Sequence, residues 1–231
     1  MSKFRDSNIE FLRIICLCSV IGGHLILSYT YDPVGCIDYY IGNFLRSFFV
    51  AAVNCYIIIS GYFRIKLNVK KLIKIDLELL FYTLIIYFIT VLFDIHSFDL
   101  KKDVLLLFPL VTKQYWFITI YFVLCLFSPF LNLLIDNLNK KQYLCILSLI
   151  LMIFYCLPTL SYLFNSRTIT QDSGYGLINF ICLYFIGAYI QLYYNKKIKT
   201  YYYFIGFIIS SMVLFFFNNL FTIVFGYYFD S

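Results

Sequence analysis

Long apolar runs leave this chain little choice of fold. They recur along the 231-residue sequence, each near the roughly 20 residues a helix needs to cross the hydrocarbon layer of a bilayer. They do not alternate apolar with polar residues as barrel strands do. Inside lipid, only helices and closed barrels satisfy every backbone N–H and C=O. The pattern therefore predicts an all-α, polytopic transmembrane helix bundle. Spans are expected near 9–29, 39–62, 72–93, 115–135, 143–160, 177–194 and 201–225, about seven in all. Pro158 is expected to end the fifth span early. The stretch 104–111 is too short to cross and is expected to lie along a surface or to re-enter.

Only 13% of the residues are charged and 62% are hydrophobic, about half the charge of a soluble domain. The formal net charge of +6 does not indicate nucleic acid, because the cations cluster between apolar runs, as orienting charges do. Lys3 and Arg5 precede the first span. Arg64, Lys66, Lys70, Lys71 and Lys74 follow the second, Lys140 and Lys141 the fourth, and Lys196, Lys197 and Lys199 the sixth. The opposite loops hold Lys101, Lys102, Lys113 and Arg167 beside Asp32, Asp38, Asp94, Asp99, Asp103 and Asp172. The positive-inside rule then places the N-terminus in the cytoplasm. The first run is too long for a signal-peptide core and is expected to be retained as a span. Seven of the eight cysteines fall in expected spans and none forms a C-x-x-C pair, so they read as packing residues rather than a disulfide framework.

The first span, IEFLRIICLCSVIGGHLILSYTY, carries Arg13 and His24. Eleven residues of α-helix bring the chain round to within about 20° of its starting direction and raise it roughly 16 Å. The two side chains therefore share a face, with the cation nearer the cytoplasm and the titratable ring deeper. Intramembrane ionisable residues mark pathways or sites. A purely structural reading pairs Glu10 with Arg13 at i,i+3 and makes His24 a packed polar group. The functional reading gives Arg13 an anionic ligand, since its planar fork matches phosphate, and gives His24 proton transfer. Gly22 and Gly23 beside it permit close approach of a backbone or ligand.

Other polar positions read more plainly. Ser60 and Gly61 either offer a helix-end backbone site or simply close the second span. Tyr115 and Trp116 either line a cavity or sit in an interfacial aromatic belt, and the belt is the reading preferred. Glu78 is expected to pair with a lysine, Asp76 to reach the surface and His96 to be solvated. Arg46 lies inside a span and balances a carboxylate or meets an anion. No His/Cys/Asp spacing reads as a metal site.

Several segments resemble the membrane acyltransferase-3 family, integral membrane O-acyltransferases that modify bacterial surface glycans. They are Glu10-Phe11-Leu12-Arg13 with the R-x10-H spacing to His24, and the apolar run Cys55 to Ile59 into Ser60-Gly61-Tyr62-Phe63. Lys71 and Lys74 resemble the family's basic R-x-x-R pair, with lysine for arginine. Tyr115-Trp116-Phe117, then Ser128-Pro129-Phe130-Leu131-Asn132, then Phe185-Ile186-Gly187-Ala188-Tyr189 resemble its later segments. The resemblance spans nearly the whole chain.

It implies a single transmembrane acyltransferase-like domain over 1–231 in the cell membrane. Family members have about ten spans against about seven here, so the chain is expected to lack C-terminal helices. It implies acetyl-CoA as donor and a surface or lipid-linked polysaccharide as acceptor. Coenzyme phosphates would lie near Arg13, Lys71 and Lys74. His24 would act as base, Glu10, Ser60, Gly61 and Trp116 would support the site, and no metal is expected. The competing readings are an inactive shortened acyltransferase, a transporter or flippase-like protein, and a polysaccharide polymerase.

Overall fold

Apolar runs become helices over most of the described chain. The computed structural model describes residues 7–26, 36–93, 100–110, 112, 115–163, 174–194 and 198–225. No strand occurs among them. The expectations placed on Lys3, Arg5, His96 and the loop charges Asp32, Asp94, Asp99, Lys113, Arg167, Asp172, Lys196 and Lys197 lie outside the described residues, as do the last six positions.

The helices are α1 (Ser7–Ile26), α2 (Ile37–Phe49), α3 (Ala51–Phe63), α4 (Val69–Leu92), α5 (Leu100–Leu105), α6 (Trp116–Asn137), α7 (Lys140–Leu151), α8 (Leu157–Leu163), α9 (Leu177–Tyr193) and α10 (Thr200–Phe225). Val50 keeps αR dihedrals and its N–H bonds the Arg46 carbonyl at 3.0 Å. α2 and α3 therefore run on as one apolar helix of 27 residues, Ile37–Phe63.

Among the described residues, six helices are long and apolar enough to cross a membrane: Ser7–Ile26, Ile37–Phe63, Val69–Leu92, Trp116–Asn137, Lys140–Ser161 and Thr200–Thr222. The remaining expected span is the shorter apolar helix α9, of 17 residues. It sits at the lower limit for a crossing.

Two prolines test the helical pattern. Pro158 does not end its span. The helix continues through a π-turn at Met152–Cys156, where the Leu157 N–H reaches back to the Met152 carbonyl. The wider turn adjusts the hydrogen-bond ladder just before Pro158, which lies in α8, as local π adjustments do for prolines in membrane helices. Pro129 lies inside α6 and cannot donate to the Cys125 carbonyl. The Ser128 hydroxyl donates to that carbonyl instead, at 2.7 Å, and Ser128 is fully buried.

Caps set other boundaries. The Asn68 side chain accepts the Lys71 N–H at 3.2 Å at the start of α4. Asn139 and Gln142 form a reciprocal capping box at α7, both bonds 3.0 Å, which satisfies two orphan donors. The stretch expected to be too short to cross begins within α5 and continues as turns, with Asp103 accepting the Tyr87 hydroxyl at 2.8 Å.

The chain divides into two compact units. The first comprises Met1–Phe63 and Leu183–Ser231, the second Arg64–Cys182. In the first, α1 packs on α2 and α3, and α10 packs on α2. Phe44 and Phe48 of α2 meet Phe215 and Phe207 of α10 edge to face. The tightest crossing joins α3 to α9. A Cβ at Gly61 would run into the Tyr184 carbonyl, and one at Gly187 into the Ile58 carbonyl. Glycine is required at both places because another backbone occupies the space.

In the second unit, Cys125, Ser128 and Ile135 form the buried line of α6. Trp116 lies edge-on to Tyr175 at 4.9 Å and Phe180 at 6.3 Å between ring centroids. The Asn179 side chain accepts from the Tyr155 hydroxyl and donates to the Gly174 carbonyl.

Candidate functional site

α1 carries Glu10, Arg13 and His24, and it is one of the two least embedded of the long apolar helices among the described residues. Cys16 is its buried residue. With Cys16 marking the line toward α3, helical geometry places Arg13 about 60° and His24 about 80° round on the same side. The shared flank read from the spacing is therefore present in an uninterrupted helix.

Arg13 is held from three directions. Its Nη1 donates to Glu10 Oε1 at 2.7 Å, an i,i+3 ion pair with both side chains more than a third exposed. Its guanidinium lies 5.8 Å from the centroid of the Phe63 ring, within reach of a cation–π attraction. The Tyr56 hydroxyl donates to the Arg13 backbone carbonyl at 2.9 Å. Tyr56 and Phe63 stand seven residues apart on α3, two turns along one face. That i,i+7 spacing is the signal the sequence carries for these two contacts.

His24 is exposed in the last turn of α1. Its ring makes no hydrogen bond with another described residue. Gly22 and Gly23 face Phe49 of α2, so their small size serves the α1–α2 packing beside it.

Ser60 and Gly61 do different work from each other. The Ser60 hydroxyl donates to the Tyr56 carbonyl one turn earlier, at 2.8 Å. Its proton is committed to its own helix and is not free to stabilise an oxyanion. Gly61 makes the α3–α9 crossing. Asn54, half-buried one turn below Ile58 on the same helix, has no hydrogen-bond partner among the described residues and retains its amide donors.

In the second unit, Lys71 and Lys74 are exposed in the first two turns of α4. Lys74 Nζ lies 3.6 Å from Glu78 Oε1, an exposed i,i+4 pair, which contributes little to stability. Glu78 thus has the lysine partner expected of it. Trp116 belongs to the aromatic cluster at the start of α6. Arg46 is half-buried in the last turn of α2.

Arg64 is more than the orienting charge read from the sequence. Its Nη1 meets Asp136 Oδ1 at 2.7 Å, and its other nitrogens bond Asn132. Among the described residues, no group of three or more His, Cys, Asp or Glu side chains is placed to hold a metal ion. None of the described cysteines is in a disulfide.

A family model described as an acyltransferase domain matches residues 6–231. No curated protein and no solved structure matches the chain.

Proposed function

Because the chain belongs to the membrane acyltransferase-3 family, we propose that this membrane acyltransferase is an O-acetyltransferase of the plasma membrane. It would move an acetyl group from acetyl-coenzyme A to a hydroxyl of a cell-surface or lipid-linked polysaccharide. The observation that supports this best is the single flank of α1 carrying an oriented guanidinium, Arg13, and an exposed imidazole, His24, that bonds no other described residue.

The roles follow from chemistry. Arg13, fixed by Glu10, Tyr56 and Phe63, offers its remaining N–H donors to a phosphate of the coenzyme. Lys71 and Lys74 of the second unit are point charges of the kind that attract an anionic donor. Glu10 orients Arg13. Imidazole in His24 accepts the proton of the acceptor hydroxyl as its oxygen attacks the thioester carbonyl. The tetrahedral oxyanion needs a donor, and Asn54 supplies one where Ser60 does not. Collapse breaks the carbon–sulfur bond, the coenzyme leaves as its thiolate, and the imidazolium returns the proton to sulfur. Trp116 and Gly61 support the helices.

The test is acetyl transfer from labelled acetyl-coenzyme A to envelope glycan in membranes with and without the chain, and with His24→Ala. Label in glycan that requires the chain and disappears in the variant is the expected result. Glycan acetylation that is independent of the chain would overturn the assignment in favour of a non-enzymatic membrane protein. Acetylation that persists in His24→Ala would overturn the base role alone.

A further inference from the structure

Arg64 is the one non-glycine residue with positive φ among the described residues, at 55°. Side-chain-bearing residues enter that region only at a cost, so something must hold it. Arg64 ends α3 and opens the short connection to α4. Its side chain, only 20% exposed, reaches the C-terminal end of α6. Nη1 meets Asp136 Oδ1 at 2.7 Å, Nε donates to Asn132 Oδ1 at 3.3 Å, and Nη2 donates to the Asn132 carbonyl at 3.0 Å. Asn132 answers with Nδ2, which donates to the Ile65 carbonyl at 2.8 Å. At the other end of the connection, Asn68 caps α4.

A topological anchor needs charge and nothing else. This arrangement has directional bonds from all three guanidinium nitrogens, a return bond to the adjoining backbone and a left-handed residue. Four lysines follow immediately, Lys66, Lys70, Lys71 and Lys74, all exposed. They are flexible point charges, and their usefulness to an anion depends on where the backbone beneath them is held. Arg64 itself has each nitrogen occupied on α6 and is poorly placed to fork onto a phosphate.

We infer that Arg64, Asn132 and Asp136 form a clasp that fixes the lysine-bearing start of α4 for a phosphate-bearing acyl donor. Arg64 is a positioning residue and does not touch the donor. The inference rests on the donor reading proposed above.

Arg64→Gly is the decisive variant, because glycine adopts the left-handed backbone freely while losing the clasp. The full chain in lipid nanodiscs is read two ways: coenzyme A binding by calorimetry, and backbone hydrogen exchange over 65–74. In Arg64→Gly, exchange should rise and coenzyme A should bind about tenfold more weakly, with kcat at saturating donor within about twofold of wild type. Arg64→Lys should weaken binding nearly as much, which separates fork geometry from charge. Lys71→Ala/Lys74→Ala should weaken binding with exchange unchanged. If Arg64→Gly exchanges faster but binds as wild type, the clasp does not serve the donor, and the inference fails while the acyltransferase reading stands. Unchanged exchange also overturns it. If the wild type does not bind coenzyme A, the donor reading fails and takes the inference with it. Should Arg64→Gly not fold, Asn132→Ala removes the amide bonds, leaves the ion pair, and is read by the same measurements.

Discussion

α1 and α9 are both apolar helices that carry recognisable segments, yet they are opposites. α1 bears Glu10, Arg13 and His24 and buries only Cys16. α9 bears no charged residue and buries Phe180, Tyr184, Phe185 and Ala188 almost completely. A helix packed on several sides inside a bilayer has no water for an ion, so it is built from apolar and small residues. A helix that keeps an open flank can present ions to a ligand. The motif residues accordingly divide into those that make space or contact, such as Gly61 and Gly187, and ionisable ones on an open flank, such as Arg13 and His24, to which the proposal gives the chemistry.

The sharpest way to break this division is at the glycines. Gly187→Ala and Gly61→Ala each drive a methyl group into a facing carbonyl. We expect a loss of about 3 kcal/mol or more, seen as a large fall in thermal stability in detergent and in membrane level. Gly206 of α10 is the internal control, since a Cβ there meets nothing within 4 Å. Gly206→Ala should leave stability unchanged or raise it by up to about 1 kcal/mol. If Gly187→Ala proved as stable as Gly206→Ala, the α3–α9 crossing would not be tight.

His24→Ala should do the reverse. The ring is exposed and unbonded to described neighbours, so melting should be unchanged while acetyl transfer falls by about 10²–10⁴-fold. A variant that lost stability in proportion to activity would move His24 to the structural side. Arg13→Ala should have a smaller effect, raising KM for the donor about tenfold with kcat little changed. Glu10→Ala should raise it less, because it removes the orienting partner and leaves the guanidinium. An unchanged KM in Arg13→Ala would end its assignment to phosphate.

Much of this architecture is legible in the sequence, because the bilayer imposes length and apolarity on every span. The runs near 9–29, 72–93 and 115–135 reappear as α1, α4 and α6. The shared flank of Arg13 and His24 needs only helical geometry. Pro158 misleads because propensity says that proline stops a helix, whereas a π-turn one step earlier absorbs the missing N–H. Arg64 misleads in the other direction. Its charge satisfies the positive-inside rule, so nothing in composition hints at the bonds to Asn132 and Asp136, which lie 68 and 72 residues away. Long-range polar contacts leave no periodic trace. The holding of Arg13 by Tyr56 and Phe63 is intermediate: their i,i+7 spacing is visible, but it indicates a face and not a partner.

The smallest expected effect tests whether the Ser128-Pro129 pair belongs to the structural class. The Ser128 hydroxyl stands in for the N–H that Pro129 lacks. Ser128→Ala should therefore leave the buried Cys125 carbonyl unpaired and cost about 1 kcal/mol. In a Pro129→Ala background the residue 129 amide returns to that carbonyl, and the same Ser128→Ala substitution should be nearly neutral. The thermodynamic cycle should show a coupling of about 1 kcal/mol between adjacent residues. Additive effects would mean the hydroxyl is not substituting for the amide. Unchanged donor KM across all four proteins would place the pair with Gly61 and Gly187, whereas a KM that tracked Ser128 would link this turn to the Asn132 end of the same helix.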